Sequence, residues 1–333
     1  MHCPFISMKP LRPWPVAALL AVGTLLGPPA VPAAPAPVKP AALEPAQPER
    51  FFLSPAQSGT LVWKTARPAG PVDYAIGDYQ GRPVSSGTAA VAADGTLSVP
   101  VKLDRGYYEI TLGGETFGIV SQDAFTGTPD PFYGMDAVLT WLERRPAMRV
   151  SLVKILRRSG VAIARERFRW KGVNPAPGQW NWTETDRADD LRAVYQKEGL
   201  PVLEMFHDPG PARGEFPVPT HFPQDLVQLS RSWPVIYQRW KDTWGALEVW
   251  NEPDGRTYGA SLPPDQYLPI VKAMRWTFQQ NGVTSPLGGG VLIGTDPGDY
   301  TASLTLNGLL DNVDFVSFHD YRPATEMQGL IAL

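Results

Sequence analysis

Ala246-Leu247-Glu248-Val249-Trp250-Asn251-Glu252-Pro253-Asp254 is the stretch that decides the fold. An apolar run, residues 247–250, ends abruptly at Asn251-Glu252-Pro253. Proline cannot donate to a strand ladder, so Pro253 stops the strand and leaves Glu252 at its C-terminal lip. An α/β barrel keeps its reactive groups at that lip.

Working outward, strands and helices alternate. Strand patterns fall at residues 117–120, 161–170, 201–206, 246–250, 287–293 and 313–318. Helical spacing fills the gaps. Leu152, Val153, Ile155 and Leu156 form one apolar stripe that stops at Gly160. Ala188, Leu191, Val194 and Tyr195 form another, ended by Gly199, and residues 266–280 a third, ended at Asn281-Gly282. Residues 223–240 read as helical with a break near Pro234, and residues 301–310 as a helix. Such alternation implies a parallel sheet, either a barrel or a doubly wound sheet. Gly288-Gly289-Gly290 matches neither Gly-rich nucleotide fingerprint, which favours the barrel. A complete barrel takes eight strands and about 250 residues. Residues 116–333 supply six strands, so the expected fold is an α/β (β/α)8 TIM barrel truncated after the sixth strand.

A different rhythm precedes it. Within residues 51–115, Leu97, Val99, Val101 and Leu103 alternate with other residues, as do Tyr108, Ile110 and Leu112 before a Gly113-Gly114 turn. This predicts a small β-sandwich domain. Residues 35–50, rich in Pro and Ala, read as a stiff linker. Residues 1–34 have the form of a signal peptide: Lys9 and Arg12, an apolar stretch at 16–26, then small residues around Ala33. The apolar stretch is shorter than the ~20 residues of a membrane span. The mature protein is therefore expected to be secreted or periplasmic, with no membrane attachment. The only cysteine, Cys3, lies in the leader, which excludes disulfides and thiol chemistry from the mature chain. A net charge of -3 over 333 residues gives no basic excess for nucleic acid.

The strand ends carry polar groups: Arg165 and Arg167, then His207-Asp208, Asn251-Glu252 and His319-Asp320-Tyr321. Barrel strands converge their lips on one mouth, where these groups could meet.

Trp250-Asn251-Glu252-Pro253 resembles the acid/base motif of clan A glycoside hydrolases. Arg165 followed by Trp170, Pro175-Ala176-Pro177-Gly178 and Trp180-Asn181-Trp182 is similar to the strand-two region of family 39, and Val316-Ser317-Phe318-His319-Asp320-Tyr321 to its strand six. The resemblance covers residues 117–321. It implies a retaining β-glycosidase acting on β-linked oligo- or polysaccharide, with Glu252 as acid/base and no cofactor. It implies Asn251 on the sugar 2-hydroxyl and Arg165 beside a second carboxylate. His207, His319 and Tyr321 would contact hydroxyls or that carboxylate, with Trp170 and Trp250 as sugar walls. For the two tryptophans a core position competes with a sugar contact, and for Arg165 a structural ion pair. The resemblance places the nucleophilic Glu after a seventh strand, beyond residue 333. Glu326 follows the sixth strand too closely to be it. Residues 1–333 alone are thus expected to be inactive or to aggregate. Two other readings compete. His207-Asp208, Glu252, Asp254 and His319-Asp320 could hold a divalent metal, as in sugar isomerases, or the protein could bind carbohydrate without catalysis.

Overall fold

The computed structural model describes residues 42–213, 222–293 and 298–321. The leader 1–34, linker residues 35–41, His221 and Glu326 lie outside the described residues.

Eight strands form the first sheet: β1 (Glu44–Pro45), β2 (Phe52–Leu53), β3 (Ser58–Lys64), β4 (Gly70–Asp78), β5 (Pro83–Val91), β6 (Thr96–Lys102), β7 (Gly106–Leu112) and β8 (Glu115–Ser121). Their order is β1-β3-β6-β5-β4-β7-β8-β2, antiparallel except for β2 on β8. Alternation drives this layout: Leu97, Val99 and Val101 are buried while their neighbours Ser98, Pro100 and Lys102 are exposed. Gly113 and Gly114, at φ +56° and +87°, close the β7–β8 hairpin in the left-handed region that a two-residue turn demands. The ladder is one sheet rather than two. Its thinnest join is the single pair Val91↔Leu97 between β5 and β6, and both flanks feed one apolar cluster around Leu61, Trp63 and Ile110.

Two expectations are corrected here. Residues 117–120 are not the first strand of the parallel sheet. They lie in β8, paired with β7, because Phe117 and Ile119 pack on the cluster that holds Trp63. The first sheet therefore runs past residue 115. Residues 42–50 are not plain linker either: β1 pairs with β3 and Leu43 is buried.

The second sheet is all parallel: β9 (Gly134–Asp136), β10 (Ile163–Phe168), β11 (Val202–Phe206), β12 (Trp244–Val249), β13 (Leu287–Leu292) and β14 (Phe315–Phe318). Strand order equals chain order throughout. A doubly wound sheet would reverse at a switch point, and this one does not. Helices α1 (Leu139–Leu142) and α2 (Pro146–Arg158) join β9 to β10. Then come α3 (Trp170–Val173) and α4 (Ala188–Glu198), α5 (Leu226–Trp240), α6 (Arg256–Gly259) and α7 (Pro264–Gln280), and α8 (Asp299–Leu306). α5 passes through Pro234 as one helix. Its buried side chains Trp233, Ile236 and Trp240 share a cluster with Phe206, Trp250 and Met274. That packing outweighs the helix bond lost at the proline. Among the described residues, no helix is long and apolar enough to cross a membrane.

The helix-facing side of this sheet also buries charge. Glu166 accepts from the Leu139 and Thr140 amides and from the Tyr195 hydroxyl at 2.8, 3.0 and 2.7 Å. Beside it, Glu204 accepts the Arg192 Nε–H at 2.9 Å, and Arg192 Nη1 donates to Thr140 Oγ1 at 2.6 Å. Burial pushes the Glu204 carboxyl and the Tyr195 hydroxyl above their ordinary ranges, Arg192 opposing both shifts.

Candidate active site

Parallel pairing fixes which residues share a face. Arg165 lies level with Asp136 and Leu203, Arg167 with Met205, and Met205 with Glu248. Their side chains point away from the helices, toward the concave side. There Arg165 is the hub. Its Nε donates to Glu248 Oε2 at 2.6 Å, Nη1 to Asp136 Oδ2 at 3.1 Å, and Nη2 to Asn251 Oδ1 at 3.0 Å. Arg167 Nη2 joins Asp136 at 2.7 Å. Ser317 of β14 donates its hydroxyl to Glu248 Oε1 at 2.5 Å.

Strict alternation would send Trp250 to this side and Asn251 away from it. The backbone does the reverse. Trp250 adopts φ +74° and Glu252 φ +47°, and Val291 across from them φ +43°. Left-handed conformations cost non-glycine residues roughly 1–3 kcal/mol each and persist only where surroundings enforce them. The enforcing contacts are visible. Trp250 Nε1 donates to the Tyr258 carbonyl at 2.9 Å, and the Glu252 amide to the Val291 carbonyl at 2.9 Å. The Tyr267 hydroxyl donates to the Val249 carbonyl at 2.7 Å and accepts the Gly290 amide at 3.1 Å. The result turns Trp250 into the core and delivers Asn251, 3 % exposed, to Arg165.

Glu252 stands just past β12, partly open at 15 % side-chain exposure. His319, just past β14, brings Nδ1 to 2.6 Å from its Oε1. Oε2 has no hydrogen-bond partner among the described residues. Asp254 accepts the Ile293 amide on both oxygens, at 3.0 and 3.1 Å. Burial, with the Glu252 charge adding to it, raises the Asp254 carboxyl above the usual range.

Next to this lip lies a groove of about 970 Å³ whose walls include Trp141, Arg169, Lys171, His207, Asp208 and Arg213. The His207 ring packs 4.8 Å from Trp141 and 5.0 Å from Tyr258. Asp208 is occupied by the amides of Trp170, Lys171 and Gly210 at 2.6, 2.9 and 2.9 Å.

The structure brings together Arg165, Asn251, Glu252 and His319 from the residues singled out in the sequence. His207 lines the neighbouring groove. Tyr321 is 85 % exposed, its ring 6.3 Å from that of His319. For the two tryptophans the core alternative holds. Trp170 and Trp250 are both fully buried, Trp170 against Phe206 and Trp233 and Trp250 against Phe206 and Phe222. Neither offers a ring face to a ligand. For Arg165, where contact with a second carboxylate competes with a structural ion pair, the described residues show ion pairs with Glu248 and Asp136. Of the groups in the metal reading, Asp208 and Asp254 accept backbone amides, and among the described residues no group of three His, Cys, Asp or Glu is placed to hold a metal ion. Reading the sequence missed Glu248, Asp136 and Ser317. The signal for Glu248 was present, because a carboxylate inside an apolar strand must find a partner.

No protein-family model matches the chain, and no curated protein does. Among solved structures it is similar to a family 39 glycoside hydrolase from the gut symbiont Bacteroides cellulosilyticus WH2, with 17 % identity and a TM-score of 0.60 over 84 % of this chain and 57 % of that one. It is also similar to a β-glucuronidase from Parabacteroides merdae (15 % identity, TM-score 0.38, 88 % of this chain and 37 % of that). A third is a β-glucuronidase from Bacteroides uniformis (13 % identity, TM-score 0.40, 88 % and 38 %). The chain thus spans little more than half of the family 39 enzyme and shares its fold over that length.

Proposed function

We propose that this chain carries the acid/base side of a retaining glycoside hydrolase acting on β-linked oligo- or polysaccharides. In this reading the parallel sheet is the front of a (β/α)8 barrel, and the eight-stranded sheet, whose two flanks close on one apolar cluster, is a sandwich-like N-terminal domain. The observation that carries it is one carboxylate, Glu252, set at a strand lip with one oxygen held by His319 and the other without a hydrogen-bond partner among the described residues.

Glycoside cleavage needs a proton delivered to the leaving oxygen and a carboxylate on the opposite side of the sugar. Glu252 Oε2 supplies the proton, and Oε1 stays anchored on His319. Asn251 has its Oδ1 fixed by Arg165, which turns its amide N–H groups toward a sugar 2-hydroxyl. After the glycosyl-enzyme forms, Glu252 takes a proton from water and the cycle closes. The resemblance assigns the nucleophile to a Glu after a seventh strand, and the described residues supply six parallel strands. The groove beside His207 has room for further sugar units.

The test is Glu252→Ala in the full gene product, assayed on aryl β-glycosides. Turnover should fall by about 10²–10⁴-fold. Azide should restore it and release a β-glycosyl azide, since a small anion can replace the missing base at the intermediate. Unchanged turnover, or an α-configured product, overturns the reading. Export belongs to the same proposal, and N-terminal sequencing of the mature protein near residue 34 checks it.

A further inference from the structure

Glu248 is a buried carboxylate that the mechanism above leaves unused. It is 3 % exposed and holds two partners, Arg165 on β10 and Ser317 on β14. One side chain on β12 thereby ties three strands.

The bond to Ser317 has to pass over β13, which lies between β12 and β14. On the concave face β13 presents Gly288, level with Glu248, and Gly290, level with Ser317. Neither carries a side chain to block the approach. Gly288 is also covered by the Phe315 ring, which a Cβ there would meet at 2.3 Å, and Gly290 sits at φ +79°. The Gly288-Gly289-Gly290 run, which fits no phosphate loop, keeps this ridge low.

We propose that Glu248 is a positioning residue that sets both neighbours of Glu252; the inference rests on Glu252 being the acid/base. On one side Glu248 orients Arg165, and Arg165 holds Asn251. On the other it anchors β14 at Ser317, two residues before His319, and His319 holds Glu252. A carboxylate accepting a guanidinium N–H and a hydroxyl makes two charge-assisted bonds, each stronger and more directional than a neutral pair. Loosening either arm displaces a group that touches substrate or proton, and a displacement near 1 Å costs about 10²-fold in rate.

The experiment compares Glu248→Gln and Ser317→Ala, each alone and combined with Asn251→Ala. Glu248→Gln keeps the shape and removes the charge. It should lower kcat about 10- to 100-fold while KM changes by less than about threefold. In the Asn251→Ala background the same change should cost less than it does alone, because part of its effect runs through Asn251 and the rest through His319. Full additivity with Asn251→Ala overturns the Arg165 arm. A readout independent of turnover is the imidazole spectrum of His319, tractable with four histidines in the chain. Its ¹⁵N resonances should move in both Glu248→Gln and Ser317→Ala. Ser317→Ala leaves no charge unpaired, so it decides the matter should Glu248→Gln fail to fold. Wild-type kcat and unmoved His319 resonances in Ser317→Ala overturn the proposal. If Glu252→Ala retains full turnover, the hydrolase reading falls separately, and the His319 spectra still judge the positioning.

Discussion

Both sheets bury apolar side chains, but only the parallel sheet also buries charge. The eight-stranded sheet encloses Leu61, Trp63, Ile76, Leu97, Val99 and Ile110, and its ion pairs, such as Arg82–Asp78 and Arg105–Asp123, sit outside. The parallel sheet is flanked by charge on both faces. Glu166, Glu204 and Arg192 lie buried under the helices, while Arg165, Glu248 and Asp136 line the concave side. Apolar burial stabilises a fold without specifying directions. Buried charge must meet partners at set distances and angles or it destabilises the chain. The contrast separates a sheet that is only held together from one that also holds groups in place.

The largest stability effect should come from breaking one buried pair. Glu204→Ala leaves Arg192 in the interior without its partner carboxylate. It should destabilise the protein by ~3–5 kcal/mol, read from a denaturant midpoint. The double change Arg192→Met with Glu204→Leu should recover most of that, because shape is kept and no charge is stranded. If the single and double variants are equally unstable, the pair is not what organises the helix-facing side. A smaller and different cost is expected in the first sheet. Leu97→Ala removes a fully buried side chain, at ~2–4 kcal/mol, and no second substitution of charge or polarity should restore it. Equal sensitivity of both sheets to salt would blur the comparison, since only one depends on ion pairs.

Much of this was legible in the sequence for the same reason. Alternation at residues 97–103 and 108–112 and the Gly113-Gly114 turn predict the first sheet because a half-buried strand has a period of two. Pro253 marks the end of β12 whatever the tertiary context, so Glu252, Asn251 and the lip they occupy follow from local rules. Three things were not legible. β9 is three exposed residues, too short for any pattern. Residues 117–120 look alike as a barrel strand and as a hairpin strand, and only packing on Trp63 decides between them. Trp250 is the sharpest case. Its direction depends on φ +74°, imposed by Tyr258, Tyr267 and β13, and no sequence periodicity reports a single left-handed residue.

The smallest effect concerns Asp254, which joins the two kinds of physics at the lip. Burial holds its carboxyl above the usual range, and the Glu252 charge pushes the same way while His319 opposes. A carboxyl raised in the folded state binds its proton more tightly there than in the unfolded chain. Between the unfolded value of about 4 and the raised one, stability therefore falls as pH increases. Asp254→Asn should flatten that part of the stability profile. Glu252→Gln should act at a distance of two residues, removing a like charge and lowering the Asp254 titration seen by ¹³C NMR. Burial, the larger of the two causes, should keep it from returning to the ordinary range. An Asp254 titration unmoved by Glu252→Gln would mean that the two carboxyls do not sense each other, and that burial alone, as in the apolar sheet, sets the chemistry of this rim.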